Sequence, residues 1–457
     1  MSGNAASTSR RFPRDWWTIP LSAQPLARSI DALRLELGKL GSSSLARNAG
    51  WMVLGQGSGF LLQAAYFILI ARLLGPAEYG LFAGVFALTG ILGQYSSAGS
   101  GTLFLRYVTA ETTKFSLYWG NILAVTMVFG IVMIGGLSIF AGELFRPGAG
   151  AITVLAAVAN CLCAQLTTSA AKVFQTYEQM GATAGLNLAA NCARTLAAFV
   201  MLITIHHATA YQWSMVTAIL SILAAAGAVA LVTLRFGRPA FSLDLIRTHL
   251  WEGFGFAFAT STSTAYNDID KTMLSHYGMN AANGVYSMAY RVIDVATIPG
   301  LAIREAAMPR FFRAGAIGIC ESSALSNRLM KRAVPLGLAA GAVVFLSAPL
   351  LPRLVGHGFG DTVFAMRWLC AIPLFRAFHH MTGSALTGSG RQRYRTLSQG
   401  IAVCLNIGLN IWLIPRHGWL GAAWSSLLTD GLLALMNGVA LAWLCRQGTR
   451  EAIPLAA

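Results

Sequence analysis

Apolar runs long enough to cross a bilayer recur along the chain from residue 50 onward, separated by short polar breaks. A hydrocarbon core of about 30 Å needs about 20 apolar residues per helix, so length here counts spans. The pattern predicts twelve transmembrane helices, at 50–70, 81–103, 117–140, 151–174, 184–205, 214–234, 253–274, 284–307, 333–351, 363–386, 397–414 and 419–444. The fold class expected is therefore an all-α polytopic membrane protein. The polar segment 235–252 separates six spans from six. That gives an N-lobe (50–234), a linker (235–252) and a C-lobe (253–446), flanked by tails at 1–49 and 447–457.

A weak internal repeat supports the division into lobes. Gly181 opens a pattern that places Leu186, Asn187 and Asn191 in the fifth span, and Gly400 opens the same one with Leu405, Asn406 and Asn410 in the eleventh. Leu74, Gly75, Tyr79 and Gly80 between spans one and two resemble Tyr277, Gly278, Asn283 and Gly284 between spans seven and eight. Six helices separate each pair, so the halves share one orientation, as in transporters built on parallel repeats.

Charge sets the orientation. Arg235, Arg238 and Arg247, then Arg310, Arg313, Arg328, Lys331 and Arg332, then Arg391, Arg393 and Arg395 fall on one side together with the basic N-terminal tail. By the positive-inside rule both termini are expected in the cytoplasm of a bacterial cell, with the chain in its inner membrane. The tail is too long to be the start of a cleavable signal and should be retained. Its Leu33, Leu37 and Leu40 interleave with Arg34 and Lys39, which suits either an amphipathic helix lying on membrane lipids or a disordered tail. With 55% hydrophobic and 11% charged residues, the formal net charge of +16 is loop charge, and no nucleic-acid partner is expected.

The seven cysteines are odd in number and lie in spans or on the Arg-rich side, which implies no disulfide framework. Cys161 and Cys163 are read as small packing residues, and no metal site or cofactor is expected.

Charges inside spans carry the functional signal, because each costs about 2.5 to 3.5 kcal/mol at the bilayer centre. The stretch 260–309 holds most of them. In the seventh span Thr260, Ser263, Thr264, Asn267, Asp270 and Lys271 recur at helical spacing, flanked by Asp268. In the eighth, Ser287, Tyr290, Arg291, Asp294 and Thr297 do the same. The fifth aligns Asn187, Asn191 and Arg194, and the tenth carries Arg376, His379, His380 and Gly383 near its middle. Arg194, Arg291 and Arg376 would thus point inward from both lobes, and a guanidinium-lined interior suits a diphosphate. Lys271, Asn187, Asn191, Asn267, Tyr290 and His380 are expected as further polar lining. The competing reading is internal pairing, Arg291 with Asp294 and Lys271 with Asp268. Asp268, Asp270 and Asp294 are either coupling sites for H⁺ or Na⁺, or the partners of those cations. His379 and His380, as neighbours, should face different ways and not serve one site. Asp430 is read as a packing contact.

The run I-A-R-L-L-G-P-A-E-Y-G (70–80), D-I-D-K-x-M-L (268–274) with G-V-Y-S-M-A-Y-R (284–291), G-S-G-R-x-R (388–393) and L-I-P-x-x-G-x-x-G-A-A (413–423) resemble the polysaccharide-biosynthesis flippases. These are O-antigen and exopolysaccharide transporters of the multidrug/oligosaccharidyl-lipid/polysaccharide superfamily. The resemblance extends over 47–446. It implies two six-helix lobes around a central cationic cavity, and transfer of undecaprenyl-diphosphate-linked oligosaccharide units by alternating access. It also implies partners in a polysaccharide polymerase and chain-length machinery. In the related lipid II flippases an Arg after an aromatic pair lines the cavity, a position that Arg291 after Tyr286 and Tyr290 fits. Those relatives commonly have fourteen spans, so twelve points to a different subgroup. The alternatives are an ion-coupled drug exporter of the same superfamily, or a membrane polysaccharide polymerase. The short loops opposite the Arg-rich side, with little chemistry beyond His357 and Asp361, disfavour an enzyme.

Overall fold

The computed structural model describes residues 44–109, 111–145, 148–205 and 207–451, with side chains omitted at 44–58, 60–61 and 448–451. The amphipathic segment expected within the N-terminal tail lies outside them. Packing separates Met1–Gly50 from Trp51–Ala457; of the first unit only 44–50 are described, as helix, and all that follows concerns the second.

Every regular element among the described residues is helical. The N-lobe contains α1 (Ser44–Ser96), α2 (Ser100–Val108), α3 (Phe115–Leu144), α4 (Gly150–Thr176), α5 (Met180–Thr204) and α6 (Ala210–Phe236). The C-lobe contains α7 (Leu243–His276), α8 (Asn280–Ile317), α9 (Ile319–Ser347), α10 (Leu351–Val355), α11 (Thr362–Leu369), α12 (Ile372–Gly388), α13 (Gln392–His417) and α14 (Trp419–Glu451). The protein is an all-α membrane protein in which α1 supplies two spans and α11 with α12 together supply one, giving twelve.

Eight of the described helices are long and apolar enough to cross a membrane on length and composition alone. One of these contains the first two spans. The seventh, eighth and tenth spans fall short because they carry the buried charges or are broken at Cys370. A broad belt of exposed apolar side chains, such as Val128, Ile131, Val132, Leu338 and Leu346, suits lipid rather than water.

Local chemistry explains the breaks. Within α1 the backbone turns at Gly75, whose φ of 69° is open to glycine and strained for other residues, and Pro76 follows it. Helix α6 starts in a capping box: Thr209 Oγ1 accepts from Gln212 N at 3.3 Å, and Gln212 Oε1 accepts from Thr209 N at 3.1 Å. The Glu78 carboxylate accepts from Ala210 N at 2.6 Å, placing negative charge at that helix N-terminus. Within α4, residues Val158–Cys163 form a π turn.

Helix ends overrun the apolar segments. Only 237–242 is non-helical where the sequence suggested a linker at 235–252, and 309–332 is helix but for Gly318. Hydropathy marks the depth of lipid, whereas these helices continue past it, α7 being capped at its start by the Ser242 hydroxyl accepting from Leu245 N. A disulfide joins Cys320 at the start of α9 to Cys445 in α14, with Cα atoms 4.9 Å apart. This corrects the expectation of no disulfide framework: cysteine count and spacing do not report which helix ends meet.

The lobes meet along α1–α2 and α7. At the end away from the Arg-rich side, Thr272 Oγ1 donates to Gly84 O at 3.2 Å, and Ser275 Oγ and Asn283 Nδ2 donate to Gly80 O at 3.1 and 2.7 Å. Gly80 lies so close to the backbone of Asn280 and Gly284 that a Cβ there would collide with both. The largest apolar cluster surrounds this end and draws Leu73, Tyr79 and Phe82 from one lobe and Tyr286, Tyr290 and Phe359 from the other. Halfway along, Ser261 Oγ donates to Ile91 O at 3.0 Å. At the Arg-rich end, Tyr107 donates to Glu252 at 2.9 Å, and Arg106 pairs with the same carboxylate.

Candidate functional site: three joined cavities

Helix α7 is polar round much of its circumference and divides the interior. It sends Asp268 toward the N-lobe, Asn267 and Tyr266 toward the C-lobe, and Asp270 and Lys271 into the packed seam.

Lys271 is consumed by its surroundings. Only 1% exposed, its Nζ donates to Asp268 Oδ1 at 2.7 Å and to Asn267 O at 2.5 Å, and it lies 4.1 Å from the centre of the Tyr290 ring. Asp270 is equally buried and accepts from Tyr286, from Ser426 Oγ at 3.1 Å and from Lys271 N at 2.7 Å. Every one of those donors is internal, so Asp270 and Lys271 are packing residues in this state. Asp268 differs, because it lines a cavity while holding Lys271.

Three cavities adjoin. The first, of about 470 Å³, lies in the N-lobe between α1, α4, α5 and α6, and includes Gln63, Asn187, Asn191 and Arg194. The second, of about 240 Å³, is walled by Tyr66, Phe67, Tyr79, Arg194, Asp268 and Arg291. The third, of about 430 Å³, lies in the C-lobe and is lined by Asn267, Arg291, Asp294, Arg304, Arg376, His379, His380 and Arg395 among others. Arg194 is shared by the first two, and Arg291 by the second and third. Arg194, Arg291 and Arg376 each line at least one of the three cavities, two of them at shared walls.

Their states differ. Arg376 is 8% exposed and donates to Asp294 Oδ1 and Asn267 Oδ1, both at 3.0 Å, and to the Tyr290 hydroxyl at 3.1 Å. Arg291 is a third exposed, lies 3.6 Å from Asp294 Oδ2 and covers the Phe67 ring at 4.9 Å. Its Nε is buried with no hydrogen-bond partner among the described residues. Arg194 has neither an ion pair nor a hydrogen bond among the described residues, and Asn187 and Asn191 do not pair with it. Pairing therefore accounts for Lys271 wholly, for Arg376 largely, for Arg291 in part through Asp294 and Tyr79, and among the described residues for Arg194 not at all.

Two arginines of the third cavity escape a reading of span centres. Arg304 pairs with Glu305, and Arg395 Nη1 donates to Thr387 Oγ1 at 3.1 Å. Arg304 lies about 140° round a regular helix from Arg291, so periodicity does not place the two on one stripe; both line the cavity all the same. Arg395 was counted only as loop charge. The two histidines correct an expectation: their rings stand 4.4 Å apart and both line the third cavity, because a cavity this wide covers more of α12 than the 100° between neighbours. His379 Nε2 is 3.5 Å from Asp430 Oδ1, and Asp430, 1% exposed, accepts from Tyr266. Asp430 is thus a buried support behind the wall. Among the described residues no cluster of His, Cys, Asp and Glu could hold a metal ion.

A family model described as polysaccharide biosynthesis protein matches residues 45–314. Comparison with curated proteins finds no match. Among solved structures, an inward-facing multidrug resistance MATE family transporter of the MOP superfamily matches with a TM-score of 0.70 at 16% identity, over 86% of this chain and 96% of that one. The lipid II flippase MurJ in an inward closed conformation matches at 0.69 and 13% identity, over 86% and 87%. An outward-facing MATE transporter matches at 0.59 and 16% identity, over 89% and 98%.

Proposed function

Because the chain belongs to the polysaccharide biosynthesis protein family, and is a membrane transporter rather than an enzyme, we propose that it is a flippase for oligosaccharides carried on a polyprenyl diphosphate. One observation carries this reading: among the described residues, the third cavity is lined by four arginines and two histidines with Asp294 as its one carboxylate. Guanidinium forks offer a diphosphate several charge-assisted hydrogen bonds, whereas a cationic drug would meet repulsion there. The same observation weighs against the drug-exporter alternative.

In this reading the Arg-rich side is cytoplasmic in a bacterial inner membrane, and undecaprenyl diphosphate is the carrier. The cavities load from that side while the Gly80 seam keeps the opposite end shut. The greater likeness to inward-facing than to outward-facing relatives supports the same assignment. Arg291 and Arg376 take the diphosphate. Asp268 and Asp294, both reachable from the cavities, are the coupling carboxylates for H⁺ or Na⁺, while Asp270 is left to packing. A polysaccharide polymerase and its chain-length partners would consume the delivered units.

The test is reconstitution into liposomes with a fluorescent polyprenyl-diphosphate-linked sugar, read by quenching of the leaflet that faces outward. Protein-dependent transfer is expected, with none for Arg376→Ala. Transfer of ethidium in place of the lipid-linked sugar would assign the chain to drug export and sink the proposal.

A further inference from the structure

The N-lobe cavity differs chemically from its neighbours. Its polar wall is almost uncharged: Gln63, Gln175, Asn187 and Asn191 contribute primary amides, Thr167 a hydroxyl, and Arg194 stands at its junction with the middle cavity. None of the four amides has a side-chain hydrogen bond among the described residues. Gln63 and Asn187 are exposed and Gln175 and Asn191 half-buried, so all four amides are open to whatever polar ligand or water fills the cavity.

The internal repeat sharpens the point. Asn406 and Asn410, the C-lobe counterparts of Asn187 and Asn191, are at most 1% exposed and their amide nitrogens donate within the lobe, although Asn410 Oδ1 has no partner among the described residues. Asn406 Nδ2 donates to Ser425 and Thr429, each at 3.3 Å, and Asn410 Nδ2 donates to Asn406 Oδ1 at 2.8 Å. The same residues at repeated positions close one lobe and line an open cavity in the other.

We infer that the N-lobe cavity is the sugar-binding subsite, a place where the uncharged hydroxyl groups of the transported oligosaccharide are held by amide side chains. This rests on the flippase reading above. An amide both donates and accepts, as a sugar hydroxyl does, whereas a diphosphate asks for cations and a cationic ligand for acids. Among the described residues the lining has no acid and a single arginine. Its volume falls within the roughly 300–1,000 Å³ typical of small-molecule sites. The shared arginines order the ligand: diphosphate on Arg376 and Arg291 in the C-lobe, the first sugar past Arg194, and the following residues among the amides.

Binding to the full chain in nanodiscs, read by native mass spectrometry, tests this. The two probes are farnesyl diphosphate and the lipid-linked oligosaccharide extracted from a strain lacking the transporter. The wild type is expected to hold the glycosylated probe at least about tenfold more tightly than the bare one, the equivalent of one or two hydrogen bonds. Asn187→Ala with Asn191→Ala should bring the glycosylated probe down to the bare level and leave the bare probe unchanged. Gln175→Ala, on a separate helix, should do the same in part. If the glycosylated probe binds these variants as it binds the wild type, or if both probes weaken together, the subsite is not for sugar. Should the wild type bind neither probe, the diphosphate reading itself falls.

Discussion

Arg376 grips Asp294 from 82 residues further along the chain, Nη1 to Oδ1 at 3.0 Å, while Arg291 on the same helix as Asp294 stays at 3.6 Å from the other oxygen. One carboxylate therefore serves two arginines. It orients the buried one and leaves the more exposed one available. A diphosphate entering the cavity competes with Asp294 for both, and release of that carboxylate would couple loading to its own protonation or ion binding.

Arg376→Ala is expected to abolish transport. Arg376→Lys should recover at most about a tenth of the wild-type rate, because an ammonium cannot span Asp294, Asn267 and Tyr290 as the planar fork does; a tenfold loss corresponds to about 1.4 kcal/mol. Complementation of a flippase-deficient strain, normalised to inserted protein, measures both. Full activity of the Lys variant would show that charge alone suffices.

Arg291→Ala should separate function from stability. Its half-open pair with Asp294 is the kind worth about 0–1 kcal/mol, so the thermal midpoint in detergent should barely move while transport is lost. A large drop in the midpoint would instead make Arg291 a packing residue.

The three charges of the D-I-D-K segment should part company. Asp268→Asn is expected to alter the Na⁺ or pH dependence of transport, since this carboxylate faces a cavity. Asp270→Asn and Lys271→Ala should lower stability instead, the latter by about 3–5 kcal/mol because it strands buried carboxylates. Ion dependence of uptake and thermal melts of the same preparations separate the two classes.

Gly80→Val tests the seam. The added side chain collides with backbone at Asn280 and Gly284, so the closed end cannot re-form and the protein should be held open there. A cysteine introduced at Tyr79 would then react with a membrane-impermeant maleimide faster than in an otherwise wild-type background. Unchanged labelling would mean that this contact is not the gate.

At the Arg-rich end, the Tyr107 hydrogen bond and the Arg106 charge hold Glu252 below the ordinary carboxylate value of 4.5. A carboxylate depressed in the folded state stabilises above its unfolded value, and loses that contribution as pH falls through the folded one. The melting-point gap between wild type and Glu252→Gln should therefore be constant above about pH 5 and close below 4.5. A gap that stays constant through acid would remove Glu252 as a titrating latch.

The twelve spans were legible because lipid imposes a single length and a single polarity on every crossing helix. The arginines stood out as candidates for the same reason, since a guanidinium at mid-span is costly in lipid. Partnership was not legible. Nothing local to Arg376 announces Asp294, and nothing in Asp268 and Asp270, two residues apart, tells that one faces a cavity and the other is sealed against Tyr286 and Ser426. Such facts belong to helices that meet only after folding, as does the Cys320–Cys445 bridge. The matched Asn pairs of the two lobes show the limit most directly: identical motifs, one buried and one open, with the difference residing in the neighbouring helix.

The π turn at Val158–Cys163 gives the N-lobe cavity a phase as well as a wall. A single extra residue in that turn offsets everything beyond it by about 100° relative to a regular helix. Ala159 and Asn160 early in it face the middle cavity, and Cys163 at its end with Thr167 and Thr168 beyond it face the amide-lined one. The helix therefore works as a rotary index: deleting one residue there would turn the threonines off the sugar subsite while sparing each amino acid that lines it.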